Sequence, residues 1–139
     1  MKTILFICTG NTCRSPMAEC MFNALCQKEG RTDLRAVSAG MNAFANAPAS
    51  EGARRAMRRR GLSLAEHRSQ PLTERLLRDV SLVVGMTQGH VDAAMRMYPN
   101  VNIPMRVFNS PIADPYGGSD EAYEHAAREI GRQLPALLT

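Results

Sequence analysis

The chain has 139 residues, 45% of them hydrophobic, and a formal net charge of +4 at pH 7. This length and composition predict a single globular domain over residues 1–139, and no apolar run approaches the length of a membrane-spanning helix. All four cysteines, at positions 8, 13, 20 and 26, fall in the first fifth of the chain. Their position excludes a disulfide framework across the fold and predicts a reduced, cytoplasmic protein.

Strand and helix patterns alternate from the start of the chain. Residues 2–7 predict a buried strand, since their apolar run is too short for a signal peptide and meets polar residues directly. Pro16 opens a helix that runs to about Glu29 and stops at Gly30. A second strand is predicted over about 35–38, and a helix from about 49 to 60 ends at Gly61.

The second half continues the alternation. A short helical piece is predicted over 72–79, the strongest remaining strand over 81–86, a helix over about 88–97 and a strand near 105–108. A loop through 111–118 then precedes an amphipathic helix to about Leu138. Alternating strands and helices indicate an α/β fold, here a three-layer α/β/α domain with a four-stranded parallel sheet and about five helices. Its ligand site is expected at the carboxyl ends of the strands.

The loop after the first strand carries a thiol and a guanidinium and reads CTGNTCRSP over residues 8–16. A short loop that leads into a helix presents backbone N–H groups and partial positive charge to an anion. Arg14 can bind two oxygens of a phosphoryl group, and the same positive field should hold Cys8 as a thiolate. The loop is therefore predicted to bind phosphate beside a nucleophile. It lacks the Gly-Lys-Ser/Thr ending of the nucleotide-binding phosphate loop.

Phosphoryl transfer to a thiol also needs an acid for the leaving group. Asp114, followed by Pro115, lies in the loop after the predicted fourth strand and should reach the same edge of the sheet. We expect Asp114 to protonate the leaving group and then to activate water. Ser15 can donate a hydrogen bond to Cys8 and stabilise the thiolate.

These motifs resemble the low-molecular-weight protein tyrosine phosphatase family, over essentially the whole chain. The Cys-x5-Arg-Ser loop and the Asp-Pro pair stand in the family's order and position. The resemblance implies a protein phosphatase that acts through a phosphocysteine on phosphorylated proteins, with no metal and no organic cofactor. It implies that Cys8, Arg14 and Asp114 are catalytic.

The resemblance also implies supporting roles. The phosphate-binding loop would comprise Thr9, Gly10, Asn11, Thr12, Cys13 and Ser15. Asn11 would hold this loop in a left-handed backbone conformation, with hydrogen bonds toward Ser15, Ser38 and His67. Phe44 and Tyr116 would form the aromatic walls of the substrate pocket.

The remaining signals allow simpler interpretations. The spacing of the four cysteines matches no zinc pattern, so Cys20 and Cys26 are expected to pack in a helix. Cys8 and Cys13 form a candidate redox pair because a reactive thiolate lies near a second thiol. The arginine-rich run over residues 54–60 is a solvated helix face or a guide for acidic partners. No stacking aromatics accompany it, so nucleic acid is not expected as a partner. A membrane is not expected either, because no apolar run is long enough to span one. The protein is expected to be a monomer or weak dimer.

Thr12 bears on the substrate. Family members that act on phosphotyrosine commonly carry a larger aliphatic residue two positions before the loop arginine. The string over residues 8–19 is instead similar to the bacterial branch that acts on protein phosphoarginine, whereas Tyr116 is the aromatic common in tyrosine-specific members. Phosphoarginine is the predicted substrate and phosphotyrosine the alternative. An arsenate reductase would need later cysteines, which this chain lacks, and a silent phosphoprotein-binding module would lack Cys8, Arg14 or Asp114.

Overall fold

A computed structural model describes all 139 residues. One parallel sheet, in the order β2-β1-β3-β4, contains the strands β1 (Lys2–Cys8), β2 (Leu34–Gly40), β3 (Leu82–Gly85) and β4 (Met105–Val107). The helices are α1 (Arg14–Lys28), α2 (Glu51–Arg58), α3 (Glu74–Arg78), α4 (Gln88–Met97) and α5 (Asp120–Gln133), followed by a 3-10 turn over Pro135–Leu138. The predicted α/β fold is confirmed. None of its helices combines the length and apolar character needed to cross a bilayer.

The side chains of β1 alternate between the two faces of the sheet and so divide the core in two. Phe6 belongs to the larger cluster, with α1, α2 and α5, and packs edge-on against Phe22 at a centroid distance of 6.0 Å. Leu5 belongs to the smaller cluster, with Leu77 of α3 and Ala94 of α4. The helices therefore cover both faces in three layers, and β1 is buried between them.

Several helix ends differ from the sequence prediction, which gave about 49–60 for α2 and 72–79 for α3. Helix α1 begins at Arg14, two residues before Pro16, which places the guanidinium in its first turn. The last helix was predicted to reach about Leu138 but ends at Gln133. Pro135 has no N–H to continue the α-helical pattern, so the chain tightens into the 3-10 turn.

The arginine-rich run is largely paired with the acidic first half of α5. Arg55 lies 2.9 Å from Asp120, and Arg59 and Arg60 lie 2.7 and 3.0 Å from Glu124. These pairs join α2 and the turn that follows it to α5. The run is thus a packed helix edge as well as a solvated one.

The loops that follow β1 and β2 approach each other closely at the carboxyl edge of the sheet. Cys8 at the end of β1 is paired with Gly40 at the end of β2. A Cβ atom at Gly40 would lie 2.6 Å from the carbonyl oxygen of Thr9 and 2.9 Å from the backbone nitrogen of Asn11. Only glycine fits there, which explains why the loop after β1 can fold back over the sheet edge.

Candidate active site

A cavity of about 460 Å³ opens at this edge. Nine of the residues proposed from sequence line it, namely Cys8, Thr9, Gly10, Thr12, Cys13, Arg14, Phe44, Asp114 and Tyr116. Five others were not predicted, namely Asn42, Ala47, Pro48, Ser50 and Ser69. The fold thus brings a thiol, a guanidinium and a carboxyl group from distant parts of the chain to one cavity.

The backbone of the loop over residues 9–13 offers donors that the protein itself does not use. None of its five N–H groups donates a hydrogen bond to another group of the chain. Asn11 has a φ of 57°, in the left-handed region, and this turns the loop toward the start of α1. Free N–H groups at a helix N-terminus are suited to bind an anion.

A directed set of hydrogen bonds ends at the sulfur of Cys8. Asn11 Nδ2 donates to Ser15 Oγ at 2.8 Å and to Ser38 Oγ at 2.9 Å. Ser38 in turn donates to Glu19 Oε1 at 2.6 Å. Because Ser15 Oγ accepts from Asn11, its own hydrogen is free for the Cys8 Sγ atom, 2.8 Å away. When Cys8 is a thiolate it has no hydrogen to give, and Ser15 is then the donor to the sulfur.

Asn11 itself is held on its other sides. Its Oδ1 accepts from the backbone N–H of Gln70 at 2.9 Å, and its carbonyl oxygen accepts from His67 Nε2 at 2.8 Å. Burial raises the pKa of Glu19, while its hydrogen bond from Ser38 and the charge of His67 oppose the rise. The predicted contacts of Asn11 with Ser15, Ser38 and His67 are all present.

Arg14 is 5% exposed, and its guanidinium is positioned from two sides. Its Nη1 donates to the carbonyl oxygen of Ile112 at 3.0 Å, and its Nη2 lies 3.6 Å from Asp114 Oδ2. Asp114 Oδ1 accepts the backbone N–H of Tyr116 at 3.1 Å, and the carboxylate is half exposed. A buried cation and an exposed carboxylate thus stand side by side in the cavity.

The predicted pocket residues lie at different depths. Phe44 is 86% and Tyr116 74% exposed although both line the cavity, so they stand at its mouth. Thr12 lies on the loop itself, and its carbonyl oxygen accepts from the backbone N–H of Ser50 at 2.9 Å. A substrate that enters would pass the aromatic pair before it reaches Thr12.

Cys13 has neighbours that the sequence did not reveal. Its Sγ lies 3.2 Å from Ser50 Oγ and 3.4 Å from the Tyr123 hydroxyl. Burial and the hydrogen bond with Cys13 raise the pKa of Tyr123 to about 12, so its hydroxyl is protonated at neutral pH. No group of three or more histidine, cysteine, aspartate or glutamate side chains is placed to hold a metal ion.

His90, at the N-terminus of α4, is a further unpredicted neighbour of the loop. Its Nε2 lies 3.0 Å from Thr9 Oγ1, and its Nδ1 accepts from the backbone N–H of Thr87 at 3.2 Å. The spacing Thr87-x-x-His90 is that of a helix capping box with histidine in the place of glutamate or glutamine. That spacing is the signal that could have located it.

The pH dependence of stability should report on His90. Burial, with a smaller effect of Arg14 and an opposing one of Asp114, lowers its pKa from the ordinary 6.5 to about 4. The unfolded chain then binds a proton before the folded chain does, so stability is complete above about pH 6.5 and falls toward pH 4. This loss should be on the order of 2 kcal/mol.

Urea titrations at pH 7 and pH 4.5 measure this loss. We expect a smaller loss in His90→Gln than in the wild type, and a loss equal to the wild type in His125→Gln, whose side chain is exposed on α5. An identical pH dependence in wild type and His90→Gln would contradict the prediction.

Comparison with known proteins relates the chain to a family of phosphatases. The family model described as low molecular weight phosphotyrosine protein phosphatase matches residues 3–139. The chain is 34% identical to the protein-arginine-phosphatase of Bacillus subtilis, an alignment that covers 96% of this chain and 93% of the relative.

Solved structures of phosphatases share the fold of this chain. A low molecular weight protein tyrosine phosphatase from T. tengcongensis superimposes with a TM-score of 0.93, at 34% identity, over 99% of this chain and 98% of that one. The YwlE arginine phosphatase, as a cysteine-to-serine mutant with a phosphorylated active site serine, superimposes with a TM-score of 0.91. It is 32% identical, over 97% of this chain and 92% of that one.

Proposed function

Since the chain belongs to the low-molecular-weight phosphotyrosine protein phosphatase family, we propose that it acts through a phosphocysteine on Cys8 and prefers phosphoarginine. The enzyme is a protein phosphatase of this family, whose relatives include arginine and tyrosine phosphatases. The observation that carries the mechanism is that Cys8, Arg14 and Asp114 all line the same cavity.

In the first proposed step the Cys8 thiolate attacks phosphorus. A bond between sulfur and phosphorus forms as the bond from phosphorus to the substrate nitrogen or oxygen breaks, and Asp114 gives its proton to that departing atom. Arg14 and the free N–H groups of residues 9–13 bind the phosphoryl oxygens. The substrate leaves with its phosphoryl group transferred to the enzyme.

In the second step water releases the phosphate. The Asp114 carboxylate, now without its proton, takes one from a water molecule, and the water oxygen attacks phosphorus. The bond between sulfur and phosphorus breaks, and the sulfur departs as a thiolate. Ser15, which donates to Cys8 Sγ at 2.8 Å, stabilises that departing charge.

The relatives support a covalent intermediate and a nitrogen-linked substrate. The solved YwlE arginine phosphatase mutant carries a phosphorylated serine in its active site, which fits phosphoryl transfer to the side chain at the place of Cys8. The protein-arginine-phosphatase of Bacillus subtilis matches nearly the whole chain. A cytoplasmic, reduced location is part of the proposal and fits the four free cysteines.

The substrate preference rests on Thr12. A phosphoguanidinium is planar, spreads near the phosphorus and bears N–H groups, so its pocket needs width and a hydrogen-bonding partner. Thr12 lines the cavity and supplies both. Isoleucine would place extra carbon where the guanidinium spreads and would remove the hydroxyl, yet would still pack against a flat phenyl ring.

Thr12→Ile is therefore expected to reverse the order of substrates. With peptides of one sequence that carry phosphoarginine or phosphotyrosine, kcat/KM of the wild type should favour phosphoarginine. The variant should favour phosphotyrosine, after a shift of about 10- to 100-fold in the ratio. The matched control is Thr32→Ile, at an exposed position outside the cavity, which should behave as wild type. A wild type that cleaves phosphotyrosine and leaves phosphoarginine untouched would return the protein to the tyrosine-phosphatase alternative.

Peroxide should inactivate the enzyme reversibly. Peroxide would oxidise the Cys8 thiolate to a sulfenic acid, and the Cys13 thiol would then displace water to form a disulfide, which a thiol reductant reopens. Phosphatase activity after peroxide and then reductant is measured in the wild type and in Cys13→Ser, which should recover less. Cys20→Ser is the control, because burial raises the pKa of Cys20 and leaves it a less reactive thiol. Full recovery of Cys13→Ser would make Cys13 a packing residue only.

A further inference from the structure

His90 is buried beside the phosphate-binding loop, although its own helix belongs to the opposite layer of the fold. It is 8% exposed, and the strand before its helix, β3, is the direct neighbour of β1. This neighbourhood brings the start of α4 against the loop after β1. His90 Nε2 there lies 3.0 Å from Oγ1 of Thr9, a residue of this loop.

The contacts of the imidazole determine its tautomer. The backbone N–H of Thr87 can only donate, and it donates to Nδ1 at 3.2 Å, so Nδ1 carries a lone pair. The Thr87 hydroxyl lies 3.0 Å from the same nitrogen. Burial lowers the pKa of His90 to about 4, so the ring is neutral at neutral pH. Its one ring proton is therefore on Nε2 and is donated to Thr9.

Thr9 links this imidazole to the guanidinium of Arg14. Arg14 Nη2 donates to Thr9 Oγ1 over a long 3.5 Å, so the hydroxyl oxygen accepts from both neighbours. These two contacts use both lone pairs of the Thr9 oxygen, so its hydrogen is donated to neither His90 nor Arg14. Thr9 is exposed and lines the cavity, so this hydrogen can be donated to an acceptor there.

We propose that His90 is a positioning residue for phosphate: by donating to Thr9 it holds that hydroxyl against Arg14 and leaves its hydrogen for a phosphoryl oxygen. The inference rests on the proposed function, since the phosphoryl group is the ligand of the cavity. Thr9 then adds a side-chain donor to the backbone donors of the loop. The guanidinium gains a contact in addition to those with the Ile112 carbonyl oxygen and Asp114.

Two amide variants of His90 test the roles of its two ring nitrogens separately. The amide of glutamine reaches about as far as Nε2 and can donate to Thr9, whereas the shorter amide of asparagine reaches about as far as Nδ1 and serves only Thr87. We expect His90→Asn to bind inorganic phosphate and orthovanadate about 5- to 10-fold more weakly than wild type. His90→Gln should stay within about twofold of wild type. Calorimetry measures both affinities without turnover, and thermal unfolding checks the fold.

The same measurement with Thr9→Val tests whether His90 acts through the Thr9 hydroxyl. It should weaken anion binding as His90→Asn does, Thr9→Ser should restore it, and His90→Asn should add no further loss to Thr9→Val. His125→Gln should bind as wild type does. Equal losses for His90→Asn in the wild-type and Thr9→Val backgrounds, equal losses for the asparagine and glutamine variants, or a wild type that binds neither anion would each overturn the inference. A wild type that binds both anions but hydrolyses no phosphorylated peptide would defeat the proposed function alone.

Discussion

Cys8→Ser is expected to abolish turnover. A serine hydroxyl is a far weaker acid than a thiol, so the loop that favours a thiolate does not produce an alkoxide at neutral pH. The rate of phosphate release should fall by a factor on the order of 10⁴ or more. Release of inorganic phosphate from a phosphoarginine peptide, followed in a continuous assay, measures the loss.

Two controls keep this result specific to the nucleophile. Cys20→Ser changes the same atoms on the half-buried face of α1, where Cys20 contacts the Ser63 carbonyl oxygen, and should keep wild-type activity. Cys8→Ser should still bind inorganic phosphate, because the N–H groups of residues 9–13 and Arg14 are unchanged. A serine variant with a few per cent of wild-type turnover would remove Cys8 from the role of nucleophile.

Asp114→Asn is expected to slow the enzyme by an amount that depends on the leaving group. An asparagine amide cannot protonate the departing atom, so substrates with poor leaving groups should lose about 10²- to 10⁴-fold in kcat/KM. A nitrophenolate leaves without a proton, so kcat/KM for an aryl phosphate with this leaving group should fall much less. The measurement is kcat/KM across a series of phosphate esters of rising leaving-group pKa.

Asp79→Asn is the matched control, because Asp79 is exposed at the end of α3 and does not line the cavity. It should leave every substrate of the series unaffected. Equal losses on poor and good leaving groups would assign Asp114 to binding through its contact with Arg14 instead of to proton transfer.

The fold could be predicted because its elements are coded locally. Alternation of short apolar runs with helical patterns predicts a parallel sheet, and the sheet then places the residues after each strand at one edge. Cys8 and Asp114 could be assigned to the same edge for that reason, although many residues separate them. The end of the last helix was misplaced because its apolar pattern continues past Gln133, while Pro135 breaks the hydrogen bonding.

The supporting contacts of the site could be predicted only in part. Asn11, Ser15 and Arg14 lie within the motif, so their spacing indicates the loop. The Ile112 carbonyl and the Gln70 N–H are backbone groups, which any residue type supplies, so no sequence signal marks them. The Thr87-x-x-His90 spacing marks His90 at a helix start, but its contact with Thr9 depends on how β3 pairs with β1, which neither segment shows alone.

The central claim is that the phosphoryl group passes through Cys8. The most direct measurement mixes wild-type enzyme with a phosphoarginine peptide, stops the reaction with denaturant within milliseconds and maps the phosphorylated residue by mass spectrometry. We predict one phosphoryl group on the Cys8 sulfur, formed before steady phosphate release and lost as the substrate is consumed. Steady release with no phosphorylated enzyme at any time, or a phosphoryl group on another residue, would contradict the proposed mechanism.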